Sequence, residues 1–228
     1  MNVSIIMPVY NEEETLGEII QRVQAVNTWK ELIIIDDGST DRSSIVLQTL
    51  HARYPNNIVA RTHAENRGKG AAIRTGLDQS TGDFVLIQDA DLEYDPTYYP
   101  QLFAPFINPD VKVVYGSRNL RPNPRSSFLY YWGGKLLTHF TNLIYRTHLT
   151  DITTGYKVFN ARLLKDLSLE TDGFEFCAEV TSKILRNKIP IIEVPISYSP
   201  RSFQEGKKLR WSDGLVALWT LLKYRLFG

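Results

Sequence analysis

Short apolar runs alternate with amphipathic stretches along the first half of the chain. Five runs are β-branched or continuously apolar, a pattern typical of strands buried on both faces of a parallel sheet. They cover residues 3–9, 31–36, 57–62, 83–88 and 111–115. Between them, apolar residues recur at helical spacing, at Leu16, Ile19, Ile20 and Val23 and again at Ile45, Val46 and Leu50. The alternation predicts an α/β fold with a mostly parallel central sheet flanked by helices, which binds ligands at the carboxyl ends of its strands.

The second half of the chain is less regular. It predicts helices at residues 128–146, 162–167 and 179–186 and a strand, interrupted by two prolines, at 189–198. Polar residues that suit helix starts are Asn11, Thr40 and Asp95. No internal repeat, low-complexity tract or long linker divides the sequence. We therefore expect a single domain over residues 1–228.

Composition narrows the class of protein. With 228 residues, 43% of them hydrophobic and 22% charged, the chain resembles an ordinary globular protein. The lone cysteine, Cys177, favours a reducing compartment because it cannot form an internal disulfide. The apolar start lacks a basic leader, and the longest nearly uncharged apolar run near the end, residues 214–222, falls far short of the roughly 20 that span a bilayer. We expect a cytoplasmic protein, soluble or peripheral on a membrane.

The net charge of +1 conceals an asymmetry between the two halves. Residues 1–110 carry 8 Lys and Arg against 16 Asp and Glu, whereas residues 111–228 carry 18 against 9. Residues 111–150 contain six basic residues and no acidic one. The acidic half suits a metal site, and the basic half suits anionic groups or a membrane surface.

Two carboxylates follow the apolar run at residues 83–88. Asp89 and Asp91 lie two positions apart where that strand ends, so both can reach one hard cation, Mg²⁺ or Mn²⁺, that also binds diphosphate oxygens. Glu93 is either a further ligand or a surface glutamate. The alternative for the pair is a solvated acidic turn, but its place after a buried strand favours a site.

Further polar residues follow the first three predicted strands. Tyr10 and Glu12 follow the first strand and Asp36 and Asp37 end the second, where an aromatic ring and carboxylates can hold a base and a ribose. Helix capping by these loops is the alternative. The Gly-rich turn at residues 65–70, with Arg67 and Lys69, suits a phosphate or a base.

Together these motifs resemble family 2 glycosyltransferases of GT-A fold, in particular the branch of dolichol-phosphate mannose synthases and other polyprenyl-phosphate glycosyltransferases. The matching stretches are residues 4–12, 35–41, 66–72, 88–92, 116–118, 151–159 and 173–176, followed by Arg201, Lys208 and Leu209. They run in order over nearly the whole chain, and their coincidence is specific for the family but not for the sugar.

The resemblance implies a role for each matching position. The nucleotide pocket would be lined by Pro8, Tyr10, Glu12, Asp36, Asp37, Lys69 and Asp89. Asp89 and Asp91 would hold Mg²⁺ or Mn²⁺ on the diphosphate. In similar synthases the residue at Glu93 is often Gln and can join the metal. Arg201 and Lys208 would close over the pyrophosphate. Arg118 and a second cation, Lys135 or alternatively Arg125, would bind the acceptor phosphate. Residues 1–118 would form the half that binds donor and metal, and residues 119–228 the half that binds the acceptor.

The acid-free stretch at residues 111–150 favours a phosphate acceptor. A hydroxyl acceptor needs a base to take its proton, whereas a lipid phosphate is already anionic and needs positive charge. Aromatic residues at 128–132 suit an isoprenoid chain or a bilayer interface. We expect inverting transfer of a hexose from GDP-mannose or a UDP-sugar to a polyprenyl or dolichyl phosphate, on the cytoplasmic face of a membrane. A membrane-anchoring partner protein is a further candidate, and no nucleic-acid-binding motif is present.

Alternative functions remain open at this point. The same fold could act on a hydroxyl, with Asp151, Asp172, Glu175 or Glu179 as base. A sugar nucleotidyltransferase would need a Gly-rich loop after the first strand, which is absent. A non-catalytic binding module would not need the paired aspartates. The amphipathic stretch at residues 212–225 predicts a C-terminal helix that lies either on a membrane or on the protein's own core.

Overall fold

Seven strands form one sheet in the computed structural model, which describes residues 1–29, 31–125, 127–201, 208 and 210–227. The strands are β1 (Val3–Val9), β2 (Glu31–Asp36), β3 (Ile58–Thr62), β4 (Phe84–Ile87), β5 (Val113–Ser117), β6 (Lys157–Asn160) and β7 (Ile191–Pro195). Across the sheet they follow the order β3-β2-β1-β4-β6-β5-β7. Only β6 runs antiparallel to its neighbours, so the predicted mostly parallel sheet is confirmed.

Eight α-helices accompany the sheet in the described ranges. They are α1 (Leu16–Gln24), α2 (Ser43–Arg53), α3 (Lys69–Gln79), α4 (Tyr99–Phe103), α5 (Phe128–Tyr145), α6 (Ala161–Asp166), α7 (Phe176–Arg186) and α8 (Trp211–Leu226). Helices α1, α2 and α4 contribute to the apolar core on one face of the sheet, and α3, α6 and α7 to the core on the other. Strands β1 and β2 are buried along almost their whole length, as their continuous apolar sequence requires.

Helices α5 and α8 pack against each other and against α7. Leu221 of α8 joins Leu149, Ile152 and Ala178 in a separate apolar cluster, and Tyr224 of α8 is also buried. One face of the C-terminal helix is therefore docked on the protein's own core. In the described part of the chain, no helix combines the length and apolar character that crossing a bilayer requires.

Local predictions failed at two helix starts and at one strand. Helix α1 begins at Leu16 and α2 at Ser43, so Asn11 and Thr40 are not caps. Asn11 has φ 50°, and its side-chain oxygen accepts a 2.8 Å hydrogen bond from the amide of Thr40, which joins the loops after β1 and β2. Asp95 does cap a turn, the short 3₁₀ segment Pro96–Tyr98. Strand β6 was not predicted, and β7 covers only half of the predicted strand at 189–198.

Candidate active site

The loops after β1, β2 and β4 meet at one edge of the sheet. Strand β1 lies between β2 and β4 and is parallel to both, and Val9 at its end is opposite Asp36. The predicted donor residues that follow these strands therefore come together as expected. Pro8 lies within β1 opposite Ile35, and Tyr10 follows directly.

Asp89 and Asp91 lie in a partly buried group of charges after β4. Asp89 is paired with Lys69, and although burial opposes the effect, this carboxylate raises the pKa of the lysine. Asp91 is 7% exposed, and its Oδ2 lies 3.2 Å from Arg201 Nη2. Burial raises the pKa of Asp91 to about 7, and the carboxylates of Asp89 and Glu93 act in the same direction. An additional cation beside Asp91 would therefore be favourable.

The chemistry of these two carboxylates fits a divalent cation. Carboxylate oxygens are the donors that Mg²⁺ and Mn²⁺ prefer, and Mg²⁺ commonly takes one or two of them together with substrate phosphates and water. Among the described residues, no group of three or more His, Cys, Asp or Glu side chains is arranged for a metal. Asp89 and Asp91 therefore suit a cation that shares its coordination with a bound diphosphate.

Glu93, the third predicted metal ligand, contacts a different segment. Its carboxylate accepts hydrogen bonds from Tyr198 Oη at 3.2 Å and from the backbone amide of Arg201 at 2.9 Å. It thereby holds the segment that carries Arg201 beside Asp91. Whether Glu93 also binds a metal stays a prediction.

The Glu12 carboxylate anchors two cations from the second half of the chain. Arg201 donates to both of its oxygens, at 2.8 and 2.9 Å, and Lys208 Nζ donates to Oε1 at 2.5 Å. The Thr15 hydroxyl donates to Oε2 at 2.8 Å. Although burial opposes the effect, these bonds lower the pKa of Glu12. Lys208 also lies 5.9 Å from the centre of the Tyr10 ring. The predicted pyrophosphate cations thus lie beside the predicted nucleotide residues.

The two aspartates at the end of β2 differ in their free hydrogen-bonding capacity. Asp37 accepts from the amides of Arg67 and Gly68, at 3.0 and 2.7 Å, and its Oδ1 lies 2.6 Å from His63 Nδ1, so it organises the Gly-rich turn. Asp36 accepts from the Ser39 amide through Oδ1, whereas its buried Oδ2 has no hydrogen-bond partner in the described part of the chain. An N–H or O–H of a ligand would satisfy that oxygen.

A basic cavity of about 220 Å³ lies beyond the end of β5. Its lining brings together Arg118, Arg125 and Lys135, the three predicted phosphate-binding residues, and adds Arg121. Arg125 and Lys135 both lie over the ring of Tyr131, at 5.1 and 5.8 Å from its centre. Neither pairs with a carboxylate within the described ranges, so their charge is available to an anion.

Arg118 is held by a buried carboxylate. Its Nε and Nη2 donate to the two oxygens of Asp151, each at 2.7 Å, and Nη2 also donates to Thr153 Oγ1 at 2.7 Å. The guanidinium lies 5.0 Å from the centre of the Tyr198 ring. Although burial opposes the effect, Arg118 lowers the pKa of Asp151. Asp151 is therefore an anchor for Arg118 and is poorly suited to take a proton.

Two of the other candidate bases are also engaged. Asp172 pairs with Arg74 on the surface. Glu179 is fully buried and accepts from two backbone amides and from the hydroxyls of Thr171 and Tyr224. Glu175 accepts from the Gly173 amide at 3.1 Å, in the loop that packs on the Gly-rich turn. Of the four candidates, Glu175 is the one whose carboxylate forms no ion pair among the described residues.

Arg121, Thr153 and Tyr198 are among the cavity residues that were not singled out from the sequence. Arg121 lies in the acid-free stretch, but no pattern distinguishes it from other surface cations. Thr153 and Tyr198 reach the cavity only because the turn before β6 and the segment after β7 meet Arg118. That meeting depends on strand order, which local patterns do not reveal.

The chain is similar to known proteins in both sequence and structure. The chain matches the family described as Glycosyl transferase family 2 over residues 4–168. It is 28% identical over 217 residues to a dolichol-phosphate mannosyltransferase of Pyrococcus furiosus, which covers 91% of this chain and 59% of that protein. It is 29% identical over 249 aligned positions to an undecaprenyl-phosphate mannosyltransferase of Micrococcus luteus, with 99% of each protein covered. Among solved structures, glucosyl-3-phosphoglycerate synthase of Mycobacterium tuberculosis, in complex with Mn²⁺, UDP and glucosyl-3-phosphoglycerate, has a TM-score of 0.74 at 21% identity, covering 98% of this chain and 79% of that chain.

Proposed function

Because the chain belongs to glycosyl transferase family 2 and has the GT-A fold of these enzymes, we propose that it transfers a hexose from a nucleotide sugar to a polyprenyl phosphate. The basic cavity is the observation that carries this proposal. It offers four cations to an acceptor, and the one carboxylate among the described residues that line it, Asp151, is already bound by Arg118. Such a site attracts a phosphate and lacks a base for a hydroxyl. The names of the Pyrococcus and Micrococcus relatives support the same acceptor class.

The donor half supplies contacts for a nucleotide diphosphate. Asp36 has a buried oxygen for an N–H or O–H of the nucleotide, and Tyr10 offers its ring to the base. Asp89 and Asp91 would hold Mg²⁺ or Mn²⁺, which when bound would neutralise charge on the leaving diphosphate. Arg201 and Lys208, held by Glu12, add positive charge on the same side.

We propose an inverting transfer step that uses this arrangement. A phosphate oxygen of the acceptor, oriented by Arg118, Arg125 and Lys135, attacks the anomeric carbon from the face opposite the diphosphate. The new C–O bond forms as the bond to the diphosphate oxygen breaks, so the anomeric configuration inverts. No proton has to be removed from the nucleophile, which is consistent with the engaged state of Asp151.

We also propose that a membrane surface is a partner, because α5, which lines the basic cavity, and α8, which packs on α5, leave large apolar side chains exposed. This apolar surface consists of Phe128, Leu129, Trp132, Leu136 and Leu143 on α5 and Trp211, Leu215, Val216 and Trp219 on α8. Tyr130, Tyr131, Gly134 and Lys135 of α5 line the cavity itself. A lipid whose phosphate enters the cavity could thus leave its chain on the apolar surface. The cytoplasmic face and an anchoring partner stay predictions.

Exposed residues of α8 provide a test of membrane binding that spares the fold. We expect wild-type protein to float with vesicles containing anionic lipid, and the triple variant Trp211→Ser, Leu215→Ser, Trp219→Ser to lose most of this binding. High salt should weaken binding by the wild type, because it screens the attraction between anionic lipid and the exposed cations Arg210, which precedes α8, and Arg225, in the last turn of α8. The control, Ile45→Ser with Ile107→Ser, removes exposed apolar side chains elsewhere and should float normally. Equal flotation of the triple variant and the wild type would remove α8 from the proposed membrane contact.

Incubation with a panel of donors tests the function itself. The protein, Mn²⁺, GDP-mannose or UDP-sugars, and undecaprenyl phosphate in detergent should yield a glycolipid with at least one donor, and EDTA should abolish its formation. Absence of glycolipid with every donor, together with transfer to a soluble hydroxyl compound, would favour the hydroxyl-acceptor alternative and point to Glu175.

A further inference from the structure

The turn between residues 151 and 155 contacts both halves of the proposed active site. At its start, Asp151 and Thr153 bind the guanidinium of Arg118 on the acceptor side. At its end, Gly155 packs so tightly against the Asp89 carboxylate that an added Cβ would overlap it. The Gly155 amide also donates a 2.9 Å hydrogen bond to Tyr94 Oη. The conformation of this short turn therefore sets how Arg118 is placed relative to Asp89.

A buried lysine holds this turn from beneath. Lys157, the first residue of β6, is 1% exposed, and its Nζ donates to the carbonyl of Ile152 at 3.0 Å and to that of Thr154. The ammonium lies 4.5 Å from the centre of the Tyr115 ring. It forms no ion pair with a carboxylate among the described residues. Its polar contacts are thus made to the backbone of the turn itself.

Burying this ammonium is unfavourable, and burial accordingly lowers the pKa of Lys157. A β-branched or aromatic residue would suit a central buried strand better than a lysine. What the lysine provides is a charged donor for two inward-facing carbonyls, those of Ile152 and Thr154, the second of which also accepts a long 4.0 Å contact from Cys177 Sγ. The sequence thus keeps a charge in the core at a position where it binds two carbonyls of the turn.

We propose that Lys157 is a positioning residue that fixes the distance between the acceptor cation Arg118 and the donor carboxylate Asp89 by holding the turn at residues 151–155. Lys157 touches neither substrate. It acts on the acceptor side through Asp151 and Thr153 and on the donor side through Gly155. A displacement of about 1 Å in such an arrangement can lower turnover about 10²-fold. This inference rests on the proposed function only for the expected effect on turnover of the acceptor.

The test compares Lys157→Met with a matched lysine elsewhere. Lys183 is also mostly buried, donates to a backbone carbonyl, that of Ser168, and lies 4.8 Å from an aromatic ring, that of Tyr224. Unlike Lys157, it also pairs with a buried carboxylate, that of Glu179, at 2.8 Å. Lys183→Met therefore controls, with at least as large a loss of contacts, for removal of a buried ammonium outside the turn. Lys157→Gln, which keeps a neutral donor, serves if Lys157→Met does not fold. Three quantities are measured below the unfolding temperature: amide exchange at residues 151–156, affinity for Mn²⁺ with UDP or GDP, and kcat/KM for undecaprenyl phosphate.

We expect Lys157→Met to accelerate amide exchange at residues 151–156, to weaken Mn²⁺-dependent nucleotide binding, and to lower kcat/KM for the acceptor about 10²-fold. Lys183→Met should leave three quantities as in the wild type: amide exchange at residues 151–156, affinity for Mn²⁺ with nucleotide, and kcat/KM for the acceptor. Unchanged exchange in the turn, or faster exchange with wild-type nucleotide binding, would overturn the proposal. If the wild type does not glycosylate undecaprenyl phosphate at all, the proposed function fails, while exchange and nucleotide binding still decide the role of Lys157.

Discussion

Asp91→Asn should lower turnover by about 10³-fold or more without loss of thermal stability, because the metal's charge stabilisation of the leaving group is worth several kcal/mol. Asparagine has nearly the shape of aspartate and keeps an oxygen for the Glu93 amide, which lies 3.0 Å from Asp91 Oδ1. The pKa of Asp91 is raised to about 7 in the folded protein. Above the ordinary pKa of a carboxyl, the ionised side chain therefore destabilises the folded protein relative to the unfolded chain. Asparagine removes this destabilisation at neutral pH, but it binds a cation more weakly than the carboxylate does.

Asp95→Asn is the matched control for this prediction. Asp95 lies in the same loop, and its side chain caps the following turn at the Thr97 amide, a role that asparagine also fills. We expect this variant to keep wild-type turnover and wild-type affinity for Mn²⁺ with nucleotide, measured by calorimetry. Normal turnover by Asp91→Asn, or turnover by the wild type that EDTA does not affect, would remove Asp91 from the metal site.

A pair of variants at Arg118 and Asp151 should separate acceptor binding from base catalysis. Removing Arg118 alone would leave the Asp151 carboxylate buried and unpaired, which destabilises proteins by about 3–5 kcal/mol. We therefore compare the double variant Arg118→Met, Asp151→Asn with Asp151→Asn alone. Loss of a charge-assisted hydrogen bond to phosphate costs about 1.5–3 kcal/mol, so the double variant should raise the acceptor KM or lower kcat/KM by about 10- to 100-fold. Nucleotide affinity should stay unchanged.

Asp151→Asn by itself should keep most of the turnover, since the amide oxygen still accepts from Arg118. Loss of a general base typically lowers a rate by about 10²–10⁴-fold, so a drop of that size in the single variant, with a normal fold and normal nucleotide binding, would identify Asp151 as a base. The matched double variant Arg74→Met, Asp172→Asn removes a surface ion pair outside the cavity and should show neither effect.

The sheet was largely predictable from sequence, because β1, β2, β4 and most of β5 are apolar runs that are buried in the sheet, whereas β3, at its edge, is only partly buried. Strand β6 escaped prediction because its first residue is a lysine, whose burial depends on carbonyl groups of a turn and on the Tyr115 ring. Asn11 was misread for a related reason. Its side chain satisfies amides of the loop after β2, 29 residues away, instead of its own helix.

The sequence predicted which residues the candidate site brings together, but it did not predict how they pair with one another. The stretch at residues 111–150, free of acidic residues, contains the cations that line the cavity. Nothing local indicates that Asp151 holds Arg118, since the two residues are joined only when β5 and the turn before β6 pack together. Glu12 shows the same limit. Its contact with nucleotide stays a prediction, and the binding of its carboxylate by Arg201, 189 residues along the chain, has no local signal in the sequence.

One measurement tests the phosphate acceptor most directly, namely transfer to undecaprenyl phosphate compared with transfer to undecaprenol, the same lipid with a hydroxyl in place of the phosphate. Both are presented in the same detergent with Mn²⁺ and the donor that the wild type uses. The basic cavity predicts a labelled glycolipid from the phosphate alone, and mild acid should release the sugar from it, as expected for a glycosyl phosphate. Comparable transfer to undecaprenol, or a product with an acid-stable glycosidic bond, would contradict the proposal and show that the acceptor is a hydroxyl.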